Sequence, residues 1–163
     1  MSEMKKRSCL FAGTFDPPTL GHKALVEECL TLFDEVVVAI LVNPLKTPCF
    51  TVEQRAEMLR LTLGTSNRVR VISSERTVTE LMKDEEIGFY VRGIRNSIDL
   101  DYENANFYAS RKLDPTFSTV YLPCPQELLH VSSSIVRNSL RFGTPIDEYV
   151  TAEVKSYIES VKK

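Results

Sequence analysis

Between Cys9 and Leu122, short apolar runs alternate with stretches of helical periodicity, and that alternation admits few folds. Cys9–Ala12, Val36–Val42, Val69–Ile72, Phe89–Val91 and Phe117–Leu122 read as five strands. Val36–Val42 shows no polar–apolar alternation, so both its faces are predicted to be covered, as in a parallel sheet. Between the runs, Ala24, Leu25, Val26, Cys29, Leu30 and Phe33 share one helix face. Val52, Ala56, Leu59 and Leu63 share another, and Ile98, Tyr102, Ala105, Ala109 and Leu113 a third. Thr51-Val52-Glu53-Gln54 and Thr77-Val78-Thr79-Glu80 have the form of capping boxes, and Gly64 suits a helix end. Two C-terminal helices follow, one opening at Ser132-Ser133-Ser134 and ending near Gly143, the other spanning Tyr149–Val161. Such a chain is predicted to form right-handed βαβ units in an α/β fold with a doubly wound, five-stranded parallel sheet. At 163 residues, with no linker or repeat, residues 1–163 make one domain.

Ligands on doubly wound sheets bind beyond the carboxyl ends of the strands. Thr14, Asn43–Lys46, Thr77-Val78, Arg92–Arg95 and Leu128–Ser134 follow the five strands in turn, so all five loops are predicted to open onto one edge.

Composition narrows the partners. A net charge of −2 gives no global attraction to nucleic acid. The longest apolar run, Val36–Val42, is too short to span a membrane. The N-terminal MSEMKKRS carries charge without an apolar segment behind it, which predicts no secretory signal. Cys9, Cys29, Cys49 and Cys124 are widely spaced and form no C-x-x-C, so zinc and dithiol motifs are unsupported and a reducing cytoplasm is predicted.

The first βα unit carries the strongest motif. After Cys9–Ala12 comes Gly13-Thr14-Phe15-Asp16-Pro17-Pro18-Thr19, a turn-rich loop, and then Gly21-His22 at the opening of a helix. Thr14 and His22 thus lie near a helix N-terminus, whose unpaired N–H groups and partial positive charge favour phosphate. Lys46 sits in a proline-bracketed loop, Asn43–Pro48. Arg92 and Arg95 flank Gly93-Ile94 at a strand end, suited to gripping a polyphosphate. Asp99, Asp101 and Glu103 open the following helix, where acids complement its dipole, and Glu103 could also accept from a ribose or an arginine. Ser132-Ser133-Ser134 offers hydroxyls at a further helix start, with Arg137 a turn later.

The ten residues Gly13–His22 resemble the signature of the nucleotidyltransferase superfamily. Together with NPLK, RGIR, the DYE segment and VSSS, in that order from Gly13 to Ser134, they are similar to the bacterial phosphopantetheine adenylyltransferases. That resemblance implies a Rossmann-like fold and transfer of the adenylyl group of ATP to 4′-phosphopantetheine, yielding dephospho-coenzyme A and pyrophosphate. It places Thr14, Lys46 and Val78 on the phosphopantetheine side, with Arg92 on the substrate phosphate. It places Thr14, Phe15, His22, Gly93, Ile94, Arg95 and Glu103 on ATP, with Leu128, Leu129, His130, Val131, Ser132, Ser133 and Ser134. It implies that the catalytic charge is carried by His22, Lys46 and Arg95. Magnesium is implied with ATP rather than in a protein cage, and a homohexamer is the family's usual assembly. Leu128-Leu129-His130-Val131 departs from the family, which often carries an aromatic and a serine there. The nicotinate and nicotinamide mononucleotide adenylyltransferases share GTFDP and GH, but RGIR and DYE separate the chain from them. VSSS is shorter than the corresponding cytidylyltransferase signature. A non-enzymatic nucleotide-binding domain would not need the intact Gly21-His22.

Overall fold

The computed structural model describes residues 6–161, so most of the MSEMKKRS stretch lies outside the described residues. Five strands are present: β1 (Ser8–Gly13), β2 (Glu35–Leu41), β3 (Val69–Ser74), β4 (Phe89–Ile94) and β5 (Thr119–Pro123). They pair in the order β3-β2-β1-β4-β5, every pair parallel. The helices are α1 (Leu20–Leu32), α2 (Val52–Leu63), α3 (Val78–Asp84), α4 (Ser97–Leu113), α5 (Ser133–Phe142) and α6 (Ala152–Val161).

The central strands are covered on both faces, as their composition requires. Val36–Ile40 are fully buried, and Cys9–Ala12 nearly so. Alternate residues go to opposite cores. Cys9, Phe11, Val36, Val38 and Val91 pack with Leu25, Val26, Cys29 and Leu59 of α1 and α2. Leu10, Ala12, Val37 and Ala39 pack with Leu81 and Met82 of α3. A third cluster ties the C-terminus to α2: Met58 meets Val136 of α5 and Val154 and Ile158 of α6. Cys9 and Cys29 are buried as free thiols, and Cys124 is a half-buried one.

Both predicted capping boxes form. Thr51 N–H donates to Gln54 Oε1 at 2.9 Å and Gln54 N–H returns to Thr51 Oγ1 at 3.2 Å. Thr77 and Glu80 repeat the exchange at α3.

Four elements differ from their sequence reading. β4 runs three residues past Val91, so Arg92 and Gly93 belong to the strand rather than to the loop after it. β5 starts at Thr119, and Phe117 precedes it as a buried side chain against α4. The apolar stripe of α4 faces outward: Ile98 is 77%, Tyr102 66% and Leu113 72% exposed. Its buried position is Glu103, with Phe107 packed against Phe117, because a charged partner on β4 draws the carboxylate inward. Residues 149–151, read as the start of the last helix, lie before it, and the Tyr149 carbonyl accepts the Leu20 N–H at 2.9 Å.

Gly93 fixes how closely β4 approaches α1. A Cβ there would lie 2.4 Å from Leu25 Cδ1 and 3.2 Å from Cys124 Sγ. Gly93→Ala is expected to lower stability by about 1–3 kcal/mol through overpacking. Adding Leu25→Val should recover part of that loss. Urea unfolding of the single and double variants measures both, and equal stability of Gly93→Ala and wild type would refute the contact.

Candidate active site

Strand order reverses between β1 and β4, so the chain leaves their carboxyl ends in opposite directions and a crevice opens there. Two clefts meet in it. The first, about 270 Å³, is lined by Gly13, Phe15, Thr19, Gly21, His22, Gly93, Arg95, Cys124, Leu128, Val131, Ser132 and Ser133, among others. The second, about 480 Å³, runs between α3 and α4 and is lined by Thr14, Thr77, Val78, Tyr90, Tyr102, Glu103 and Asn106, among others. Ala12, Gly13 and Arg92 line both.

The extended chain sets the two arginines apart, Arg92 on the wall common to both clefts and Arg95 in the first alone. Side chains two apart on a strand share a face, so Arg92 lies beside Tyr90, its guanidinium 5.6 Å from the ring centroid. Arg92 Nη1 donates to the Ala12 carbonyl at 2.9 Å and Nη2 to Glu103 Oε1 at 2.7 Å. Its Nε is buried with no hydrogen-bond partner among the described residues. Arg95 lies one residue past β4 in the first cleft, where its Nε meets Asp99 Oδ2 at 3.3 Å.

His22 occupies the third position of α1. The Thr19 N–H donates to His22 Nδ1 at 3.0 Å, closing the helix start with an imidazole where a capping box normally has a carboxylate or amide. Accepting that bond makes Nδ1 the unprotonated nitrogen, so in the neutral ring Nε2 carries the hydrogen. The ring packs edge-on against Phe15 at 4.9 Å and near Phe11 at 6.2 Å. Burial, with the charges of Arg92 and Arg95 added, lowers its pKa from 6.5 to about 4. His22 is therefore a neutral donor in this structure. The sequence reading counted it among the groups supplying positive charge, but its apolar packing beside two guanidiniums disfavours the cation.

Of the other residues read from sequence, Thr14 and Val78 line the second cleft, and Phe15, Gly93, Leu128, Val131, Ser132 and Ser133 the first. Glu103, assigned to ATP by resemblance, lines the second cleft and pairs with Arg92. Ile94 and Ser134 line neither, and the Ser134 hydroxyl meets Arg137 at 3.0 Å. Lys46 is exposed on the loop after β2 and lines neither cleft. Leu129 and His130 also lie outside, His130 packing against Tyr149 at 6.1 Å.

Several residues of the site had no role in the sequence reading. Tyr90 and Cys124 gave no signal, since they sit in strand-like and proline-rich contexts. Asp16 lies inside the Gly13–His22 signature and is buried, accepting the Cys49 and Phe50 N–H groups at 2.8 and 2.9 Å. No cluster of three or more His, Cys, Asp or Glu able to hold a metal exists among the described residues. No described helix is long and apolar enough to cross a membrane.

Comparison with known proteins fits this geometry. A family model described as cytidylyltransferase-like matches residues 10–139. A phosphopantetheine adenylyltransferase of Prochlorococcus marinus is 38% identical over 141 residues, covering 86% of this chain and 90% of that protein. One from Aliivibrio fischeri is 36% identical, covering 95% of this chain and 96% of that protein. One from Campylobacter hominis is 33% identical, covering 96% and 99%. A solved Vibrio parahaemolyticus structure, assigned by name only to the nicotinate-nucleotide adenylyltransferases, superposes with a TM-score of 0.72 at 23% identity, over 96% of this chain and 93% of that one. That last likeness shows the shared fold alone. With relatives this similar over nearly its whole length, the chain belongs to the cytidylyltransferase-like family and, within it, to the phosphopantetheine adenylyltransferases.

Proposed function

We infer that the chain transfers the adenylyl group of ATP to 4′-phosphopantetheine, giving dephospho-coenzyme A and pyrophosphate. The observation that carries this reading is the pair of clefts joined at Ala12, Gly13 and Arg92. Two substrates must meet at one phosphorus, and the crevice offers two compartments with a cation on their common wall. ATP takes the first cleft, against Phe15, His22, Gly93, Arg95 and the start of α5. Phosphopantetheine takes the second, its arm along Val78 and Tyr102 and its phosphate at Arg92 on the wall common to both clefts.

No enzyme nucleophile is required. A phosphate monoester has a second pKa of about 6 and is largely dianionic near neutrality. It attacks the α-phosphorus in line, and pyrophosphate departs. Catalysis is then alignment plus stabilisation of spreading charge by fixed donors. Arg95 supplies positive charge and His22 a neutral N–H. The N-termini of α1 and α5 add their dipoles. Lys46, on its exposed loop, joins the bound phosphates in this reading. Magnesium enters with ATP and is held by its phosphates. The carboxylates nearest the clefts are engaged already, Asp16 with two N–H groups, Asp99 with Arg95 and Glu103 with Arg92.

The free thiols of Cys9, Cys29 and Cys124 suit a reducing cytoplasm. The outward stripe of α4, with Ile98 and Leu113, suits burial between copies in a homohexamer. Light scattering of the purified chain is expected to give a hexameric mass, and a monomer at micromolar concentration would refute that assembly.

His22→Ala is expected to cut turnover about 10²–10³-fold, the scale for losing one such donor, with a much smaller change in the KM for ATP. Near-normal turnover in a folded variant refutes the role. His22 also shapes the acid limb of stability. Between its ordinary 6.5 and about 4 the unfolded chain binds a proton that the folded ring refuses. Stability therefore falls as pH is lowered through that window, by at most about 1.4 kcal/mol per pH unit. Melting curves should show this component in wild type and not in His22→Gln.

The two arginines should fail differently. Arg92→Gln removes a charge-assisted contact worth roughly 1.5–3 kcal/mol and should raise the KM for phosphopantetheine about ten- to a hundredfold. Arg95→Ala should instead weaken ATP binding or turnover. A pyrophosphate-release assay with phosphopantetheine and nicotinate mononucleotide decides the substrate. Wild type that turns over only the mononucleotide overturns the proposed function.

A further inference from the structure

The loop Thr14–Thr19 carries contacts to both clefts, yet it belongs to neither the sheet nor a helix. Thr14 lines the second cleft, while Phe15 and Thr19 line the first. Its backbone is held in an uncommon shape, with Phe15 at φ 50°, a region that bulky side chains rarely occupy. Such a conformation persists only where surrounding contacts determine it.

Two of those contacts come from arginines outside the clefts and one from Ser133 in the wall of the first. Arg55 of α2 donates from Nη1 to the Thr14 carbonyl at 2.8 Å and from Nε to the Thr51 carbonyl at 3.3 Å. Arg137 of α5 donates from Nη1 to the Asp16 carbonyl at 2.8 Å and from Nη2 to Ser134 Oγ at 3.0 Å. Ser133 Oγ donates to the Pro17 carbonyl at 2.7 Å. The carbonyls on both sides of Phe15 are thus each gripped by a guanidinium. Asp16, between them, turns its carboxylate to the N–H groups of Cys49 and Phe50 just ahead of α2.

Arg55 is nearly inaccessible, 2% exposed, and has no carboxylate within salt-bridge distance among the described residues. Burying a guanidinium costs free energy that an apolar side chain of similar volume does not. Its planar fork is suited to bridging two fixed carbonyls at once. One of those carbonyls belongs to the helix cap Thr51 and the other to the catalytic loop, so Arg55 ties the loop to the rigid start of α2. Arg137 does the same from α5, whose N-terminal Ser132 and Ser133 line the ATP cleft. Neither arginine lines either cleft.

We propose that Arg55 and Arg137 are positioning residues that clamp the Thr14–Pro17 loop from both sides and so fix the acceptor in line with the α-phosphorus of ATP. The clamp rests on the adenylyl-transfer reading given above. It acts on alignment, not on the attraction of either substrate. Its loss therefore lowers kcat at nearly constant KM, because a misplacement of about 1 Å can cost on the order of 10²-fold in rate.

The test uses the full chain and the pyrophosphate-release assay, with wild type measured first on ATP and phosphopantetheine. Arg137→Met and Arg55→Lys are compared with wild type by circular dichroism, melting temperature, kcat and both KM values. Each is expected to fold, to lose about 10- to 100-fold in kcat, and to keep both KM values within about threefold. Arg55→Met should lose more than Arg55→Lys, since lysine keeps one of the two grips. The double variant Arg55→Lys with Arg137→Met should lose less than the product of the single losses, because both act on one loop. If Arg55→Met does not fold, Arg55→Lys decides its half, and Arg137→Met decides should both Arg55 variants fail. Folded Arg137→Met or Arg55→Lys with wild-type kcat overturns the clamp while leaving the functional reading intact. A loss residing wholly in the KM of one substrate also overturns it, by showing direct contact. Wild type without activity on phosphopantetheine removes the functional reading and the clamp with it.

Discussion

The reversal of strand order between β1 and β4 is the constraint on which the rest of the structure depends. The chain leaves β1 through α1 toward β2 and leaves β4 through α4 toward β5, so no connection crosses the carboxyl ends of the central pair. The crevice that results has glycine near both strand ends, Gly13 and Gly93. A Cβ at Gly13 would touch the Phe15 ring at 3.4 Å, and one at Gly93 would drive into Leu25. Small residues at this point allow the strand ends and the helix start to converge.

Electrostatics follow from that convergence. A chain of net charge −2 gathers Arg92 and Arg95 at one edge. Arg92 is held by Glu103 and the Ala12 carbonyl, and Arg95 by Asp99. Cations fixed in this way need little reorganisation as charge moves during reaction. The same field, added to burial, keeps His22 neutral, so a neutral imidazole stands beside two fixed guanidiniums. Around them the Phe15 loop is held from α2 by Arg55 and from α5 by Arg137.

Much of this was legible from residues near one another in sequence. The unbroken apolar run Val36–Val42 announced a doubly covered strand, and five of its residues are fully buried. The Thr51 and Thr77 boxes announced helix starts, because capping is satisfied within four residues. The Gly13–His22 motif announced a tight turn into a helix start for the same reason, its parts being close in the chain. The outward stripe of α4 was not legible, because periodicity gives a helix its faces without saying which one meets the sheet. Glu103 went inward on account of Arg92, eleven residues away on another element.

The sequence by itself determined the alternation of strands and helices, their starts, the loop motif and the family, all of which rest on local propensity, periodicity and short-range spacing. Only the tertiary structure decided which charges share a cleft. The carbonyls of Thr14, Ala12 and Asp16 that Arg55, Arg92 and Arg137 grip lie 41, 80 and 121 residues away in the chain. Their geometry depends on strand register and helix packing, which fix distances that no local pattern encodes. The neutrality of His22 was likewise set there, since burial and neighbouring guanidiniums exist only once the sheet and helices have assembled.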